Sequence, residues 1–152
     1  MEDAVCTTAN GTYNYVPGFE LIGQTAFGHN MNPERSKTQI HVKGGSLWLL
    51  GFKGEGPGTF LHAEEGAECD ILGGTVNMGL NSEKPILKID SSNVSATLAT
   101  NGYGSRQYFP LAVVESKGDG RALRCRSTQQ SELPKRFCRF YHIPLYIAKG
   151  KN

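Results

Sequence analysis

No apolar run in this chain approaches the roughly 20 residues that cross a bilayer as a helix, and no stretch carries the spacing of an amphipathic helix. Neither a membrane partner nor a helical architecture is expected. The opening Met1-Glu2-Asp3 is acidic, unlike a secretory signal. No signal or transmembrane segment is visible, and an extracellular location stays open for a chain processed from something longer. Cysteine is sparse: Cys6, Cys69, Cys125 and Cys138 include none of the repeated close pairs that hold zinc. His29, His41, His62 and His142 are scattered, with no His-Glu-x-x-His arrangement. A Gly-x-Ser-x-Gly elbow and a glycine-rich phosphate loop are lacking too, so no metal and no cofactor are expected.

What the chain does have is turns and a repeat. Its 152 residues suit one domain, and 19 Gly with 7 Pro spread along the length suit an all-β protein. Gly44-Gly45-Ser46-Leu47-Trp48-Leu49-Leu50-Gly51-Phe52 is echoed further on by Gly66-Ala67-Glu68-Cys69-Asp70-Ile71-Leu72-Gly73-Gly74. A unit of about twenty residues with strand-like alternation and a closing Gly is the size of one solenoid coil, and stacked coils bury a core that no single coil encloses.

The register follows from alternation: Leu47 over Cys69 and Leu49 over Ile71 point inward, while Trp48 over Asp70 points outward. Leu50 and Leu72, just before Gly51 and Gly73, are expected to join the inward ladder at a corner. Thr75 to Met78 then resume a period of two. A weaker copy runs from Leu87 to Leu98, at a slightly longer offset that the turn-rich stretch Asn81 to Pro85 absorbs, with Leu87, Ile89, Val94, Ala96 and Leu98 as core. Gly18 to Gly23 offers a possible earlier copy, again with two apolar residues before a Gly. Residues 28 to 37, with Asn32-Pro33, read as a polar connection.

The run from Ile40 through Pro57, with Gly58 to Ala63 and Cys69 to Thr75, resembles coils of right-handed parallel β-helix proteins of the pectin-lyase-like kind. Pro85 to Ala99 and Tyr108 to Val114 look similar to their closing rungs. The resemblance implies a short right-handed parallel β-helix and, since many members cleave or bind polysaccharides, a polysaccharide partner. The resemblance covers roughly residues 18–115, and the single domain is expected to consist of an N-terminal edge or cap (1–17), stacked coils (18–115) and a basic C-terminal hairpin and tail (116–152) that packs on the stack.

Candidate site residues come from the outward positions. Trp48 above Asp70 places an aromatic ring beside a carboxylate, a combination that holds a sugar by ring contact and hydroxyl hydrogen bonds. Tyr103 and Tyr108 extend such a surface. The alternative is that a loop or the tail covers Trp48 as a second small core. For catalysis, Asp70 and Asp90 with Lys88 are the weak candidates, and the acidic cluster and base of a pectin-lyase-like enzyme cannot be matched residue by residue.

Charge is uneven. Residues 1–116 carry 7 Lys or Arg against 12 Asp or Glu, whereas 117–152 carry 9 against 2. Arg121, Arg124, Arg126, Lys135, Arg136 and Arg139 interleave with Phe137, Phe140 and Tyr141, a pattern suited to single-stranded nucleic acid. Alternation of Leu123 and Cys125 with Arg124 and Arg126 suits instead a hairpin with one solvated face, which is preferred. Cys125 and Cys138 flank a polar loop and could face each other across a hairpin, where a disulfide would need an oxidising compartment and suitable geometry. The leading function is a non-catalytic module for carbohydrate binding or assembly, the latter through exposed strand edges or an outer sheet face. A polysaccharide-cleaving enzyme, or a fragment of one, is the alternative, and nucleic-acid binding by the tail ranks third.

Overall fold

The computed structural model describes residues 5–6, 17–78, 84–102, 112–116, 122–125 and 140–150, with the backbone alone at 5–6, 78, 101–102, 122–125 and 140–145. It is an all-β solenoid of about four turns, as expected from the repeat. Ten strands are described: β1 (Val5–Cys6), β2 (Phe19–Pro33), β3 (Thr38–Glu55), β4 (Thr59–Glu64), β5 (Glu68–Met78), β6 (Leu87–Asp90), β7 (Asn93–Gly102), β8 (Val113–Ser116), β9 (Ala122–Cys125) and β10 (Phe140–Ala148).

Two parallel stacks run side by side because each long strand bends at a corner. The first half of β3 pairs with β4, β4 with β6 and β6 with β8, all parallel. The second half of β3 pairs with β5, and β5 with β7. β2 pairs along both halves of β3. The predicted register is the observed one: Leu47 opposes Cys69, Trp48 opposes Asp70 and Leu49 opposes Ile71. These inward residues are almost fully buried, as are Leu87, Ile89, Val94, Ala96 and Leu98 of the next coil. Each Leu, Ile or Val among them contributes about 1.5–3 kcal/mol through burial, and buried apolar residues stacked coil on coil make the core continuous.

Four local expectations are corrected. Leu50 and Leu72 oppose each other as predicted, yet they are 57% and 49% exposed and do not line the core. The corner lies at Gly51 and Gly73, both at positive φ, so each leucine keeps the outward parity of the residue two before it and the count resets only at the glycine. Next, Gly18 to Gly23 is not a copy of the Leu49-Leu50-Gly51 corner. Phe19 opposes Ile40 and Leu21 opposes Val42, which aligns Gly23 with Gly44 one corner earlier. Residues 28–33 are not a connection but continue β2, with Met31 opposite Phe52 and buried; Pro33 is tolerated because it ends the strand. Finally, beyond Gly74 the period of two does not resume at once. A register irregularity between Leu72 and Thr75 leaves both Val76 and Asn77 buried.

The C-terminal strands close the stacks with reversed polarity. β8 and β9 form an antiparallel pair with Val113 opposite Cys125, and β10 runs antiparallel along β7. Ala148 is buried, Tyr146 packs against the core, and the Tyr146 hydroxyl donates to Glu115 at 2.6 Å. These pairings differ from the hairpin expected across residues 127–135: β9 lies against β8, and the strand that starts at Phe140 lies against β7. Cys138, and the Cys125 side chain, lie outside the described residues.

Candidate functional site

Alternation along β2, β3, β5, β7 and β10 builds one outer face in rows. Phe27, Trp48, Asp70, Ser95 and Ile147 are successive cross-strand neighbours. On one side run Thr25, Ser46, Glu68 and Asn93, and on the other His29, Leu50, Leu72 and Thr97. Trp48 is 40% exposed and Phe27 66%, and among the described residues none buries Trp48 in a second small core; the loop and most of the tail that could cover it lie outside the described residues. Their rings stack with centroids 5.0 Å apart and planes 13° from parallel. Stacking at the strand spacing covers one face of the indole with Phe27 and turns the other toward the Asp70 row.

Beyond Asp70 the row drops to short side chains before rising again at Ile147. Trp48 and Ile147 are three strand steps apart, about 14 Å. Most of that gap is a depression of about 320 Å³ lined by Glu68, Asp70, Asn93, Ser95, Ile147 and Lys149 among others. Asn93 Nδ2 donates to Glu68 Oε1 at 2.6 Å and its Oδ1 accepts from the Gly150 amide at 2.6 Å, which fixes the Asn93 side chain at the rim. Phe27 was missed in the sequence; its signal is its place one coil before Trp48. A larger and more open trough of about 570 Å³ follows the Gly51–Gly73 corner beside Leu50 and Leu72. Its lining offers fewer convergent polar groups.

The outer face of the other stack is ionic. Glu20, His41, His62 and Lys88 form one row by register, and Lys43 and Glu64 are paired in the next. His41 Nδ1 lies 3.0 Å from Glu20 Oε1, and His41 Nε2 lies 3.0 Å from Glu64 Oε1. His62 Nε2 is 2.9 Å from Asp90 Oδ2, 3.1 Å from Lys88 Nζ and 3.6 Å from Glu64 Oε2. The two imidazoles stack at 4.8 Å and 10°. Burial raises the pKa of the Asp90 carboxyl, but hydrogen bonds from His62, Lys88 and Ser116 together with the Lys88 charge outweigh it and the net direction is down.

The structure thus brings Lys88 and Asp90 together at 3.0 Å and leaves Asp70 on the other stack, so the three catalytic candidates do not form one site. His41, His62 and Glu64, which reasoning from sequence passed over, hold three donor atoms within 4.8 Å of one another. The available signal was again the coil length, because His62 follows His41 by one coil and stands directly opposite it. Cys69 is buried as expected, and burial followed by the nearby Asp70 and Glu68 charges pushes its thiol from 9.0 up to about 12. Tyr103, Tyr108 and most of the basic tail lie outside the described residues. No family model, curated protein or solved structure matches this chain. The fold and its faces define a short β-solenoid with one aromatic and one ionic outer sheet.

Proposed function

We propose that the aromatic face binds carbohydrate, making the chain a β-solenoid binding module without chemistry of its own. The observation that carries this reading is the partly exposed indole of Trp48, stacked on Phe27 and standing directly opposite Asp70, which itself lines a depression shared with Ser95, Asn93 and Glu68. A sugar ring stacks its C–H face on such an indole and directs hydroxyls to the acids and amides beside it. Glu68 and Asp70 outweigh Lys149 in charge, which favours neutral sugars over uronates. The coil pattern that resembles pectin-lyase-like proteins belongs to the same proposal, since a fold transfers no activity by itself.

Affinity electrophoresis through a panel of neutral and uronate polysaccharides tests it. A neutral polymer should retard the wild-type protein, and Trp48→Ala should weaken that retardation about tenfold, equivalent to about 1.4 kcal/mol. Absence of retardation across the panel, or retention by Trp48→Ala, would sink the proposal. A second reading rests on Leu50 and Leu72, which together with Phe27 and Ile147 make an apolar outer face suited to self-association. Sedimentation of a Leu50→Ser, Leu72→Ser variant separates the two: loss of a dimer supports assembly, whereas unchanged sedimentation with sugar binding intact supports the first.

A further inference from the structure

The ionic face has one proton too few for its contacts. A neutral imidazole carries one N–H and one lone pair. Both ring nitrogens of His41 nevertheless face carboxylate oxygens at 3.0 Å, Glu20 on one side and Glu64 on the other. When Nδ1–H donates to Glu20, the Nε2 lone pair points at an anionic oxygen. That contact then lacks a donor, and a metal ion at Nε2 would supply the positive charge it is missing. His62 has the same problem at one atom: Nε2 meets Asp90, Glu64 and the Lys88 ammonium within 3.6 Å. It cannot donate to Asp90 and accept from Lys88 in the same tautomer.

We propose that His41 Nε2, His62 Nε2 and the Glu64 carboxylate form a binding site for one zinc-type divalent cation, with Lys88 competing for the same place when the metal is away. Two imidazoles and one carboxylate are the donor set of a three-ligand zinc centre with an open fourth position. Bond lengths near 2.1 Å in a tetrahedron separate ligand atoms by about 3.4 Å. The three donor atoms here lie within 4.8 Å of one another, with His41 Nε2 3.0 Å from Glu64 Oε1 and His62 Nε2 3.6 Å from Glu64 Oε2, so the side chains need to close by about 1 Å or less on a bound ion. Glu20 on His41 Nδ1 supplies the outer carboxylate that commonly orients a metal-bound histidine. The imidazole side chains are only 15% exposed, so little water must be displaced. Asp90, 2.9 Å from His62 Nε2, borders the open position. Binding uses the Nε2 lone pairs of both imidazoles and so displaces the Lys88 ammonium from its contact with His62 Nε2.

The test is calorimetric titration of chelator-stripped, full-length protein with Zn²⁺ and with Ca²⁺, under reducing conditions and after thiol alkylation. The expected result is one equivalent of Zn²⁺ bound and Ca²⁺ ignored, with alkylation making no difference. His62→Ala and Glu64→Gln should each weaken Zn²⁺ at least tenfold. Lys88→Met should tighten it about tenfold, an outcome that a purely structural role for these residues does not produce. The Co²⁺ spectrum of the wild-type chain needs no variant: tetrahedral d–d bands without thiolate charge transfer support the site. Absence of Zn²⁺ binding, equal Ca²⁺ binding, loss on alkylation, a thiolate spectrum, or full affinity in His62→Ala would overturn it.

Discussion

Leu49 and Leu50 are chain neighbours on opposite sides of one sheet, the first 1% exposed and the second 57%. Leu49→Ala leaves a cavity against Ile71 and is expected to cost about 2–5 kcal/mol. Leu50→Ala removes a side chain already in water and should stay within about 0.5 kcal/mol of wild type. Urea midpoints of the two variants check the pair. Cys69 makes a pH prediction whose sign is set by burial. Its folded pKa of about 12 exceeds its ordinary value of 9.0, so the fold holds the protonated thiol. That contribution is whole below about pH 9 and is lost as pH rises toward 12. Wild type should therefore lose more stability than Cys69→Ala across this window, measured by urea unfolding under reducing conditions.

Strands here are defined by their corners. Gly45 adopts φ +80° and a methyl on it would run into the backbone oxygen and nitrogen of Gln24 on β2. Gly66, at φ +74°, has open space around its missing Cβ. Gly66→Ala should cost only the left-handed backbone term, about 1–2 kcal/mol. Gly45→Ala adds a collision that neither strand can relieve and should cost about 3–5 kcal/mol. Thermal midpoints of the two variants give the comparison, and equal losses would show that inter-coil contact is unimportant at Gly45. Alternation identified which of Leu47, Cys69, Leu49 and Ile71 face inward because side-chain direction is local to a strand. It misplaced Leu50 and Leu72 because the position of a bend relative to its glycine depends on the coils above and below. It missed residues 28–33 as strand because their partner, around Phe52, carries no similar residues to betray the match.

The whole molecule is a stack with two ends. β7 is covered on its far edge by β10 over Phe140 to Ala148, and that antiparallel strand also brings in Tyr146 to bond Glu115. Deleting residues 140–152 uncovers the β7 edge, which presents unpaired backbone groups to a second chain. The truncated protein is expected to sediment as concentration-dependent oligomers at concentrations where the full chain does not, and a monomeric truncation would show that β10 is not a cap. The two outer faces lie on different stacks and share no residue. The Trp48 face is proposed for sugars and the His41–His62 face for metal, so Trp48→Ala should leave Zn²⁺ affinity unchanged, measured by calorimetry.

By itself the sequence determined that coils stack, that Leu47 lies over Cys69, and that Trp48 stands outside beside Asp70. Each of these depends on a period of two within a strand and a repeat offset between strands, both written directly in residue order. Tertiary structure alone decided that Phe27 meets Trp48, that Asp90 joins Lys88 and His62 while Asp70 stands apart, and that His41, His62 and Glu64 converge. Those meetings depend on the length of every coil, which is longer from His62 to Lys88 than from His41 to His62 although both pairs stand in register. Turn insertions change that length without changing the strands, so only the stacked chain shows which side chains share a row.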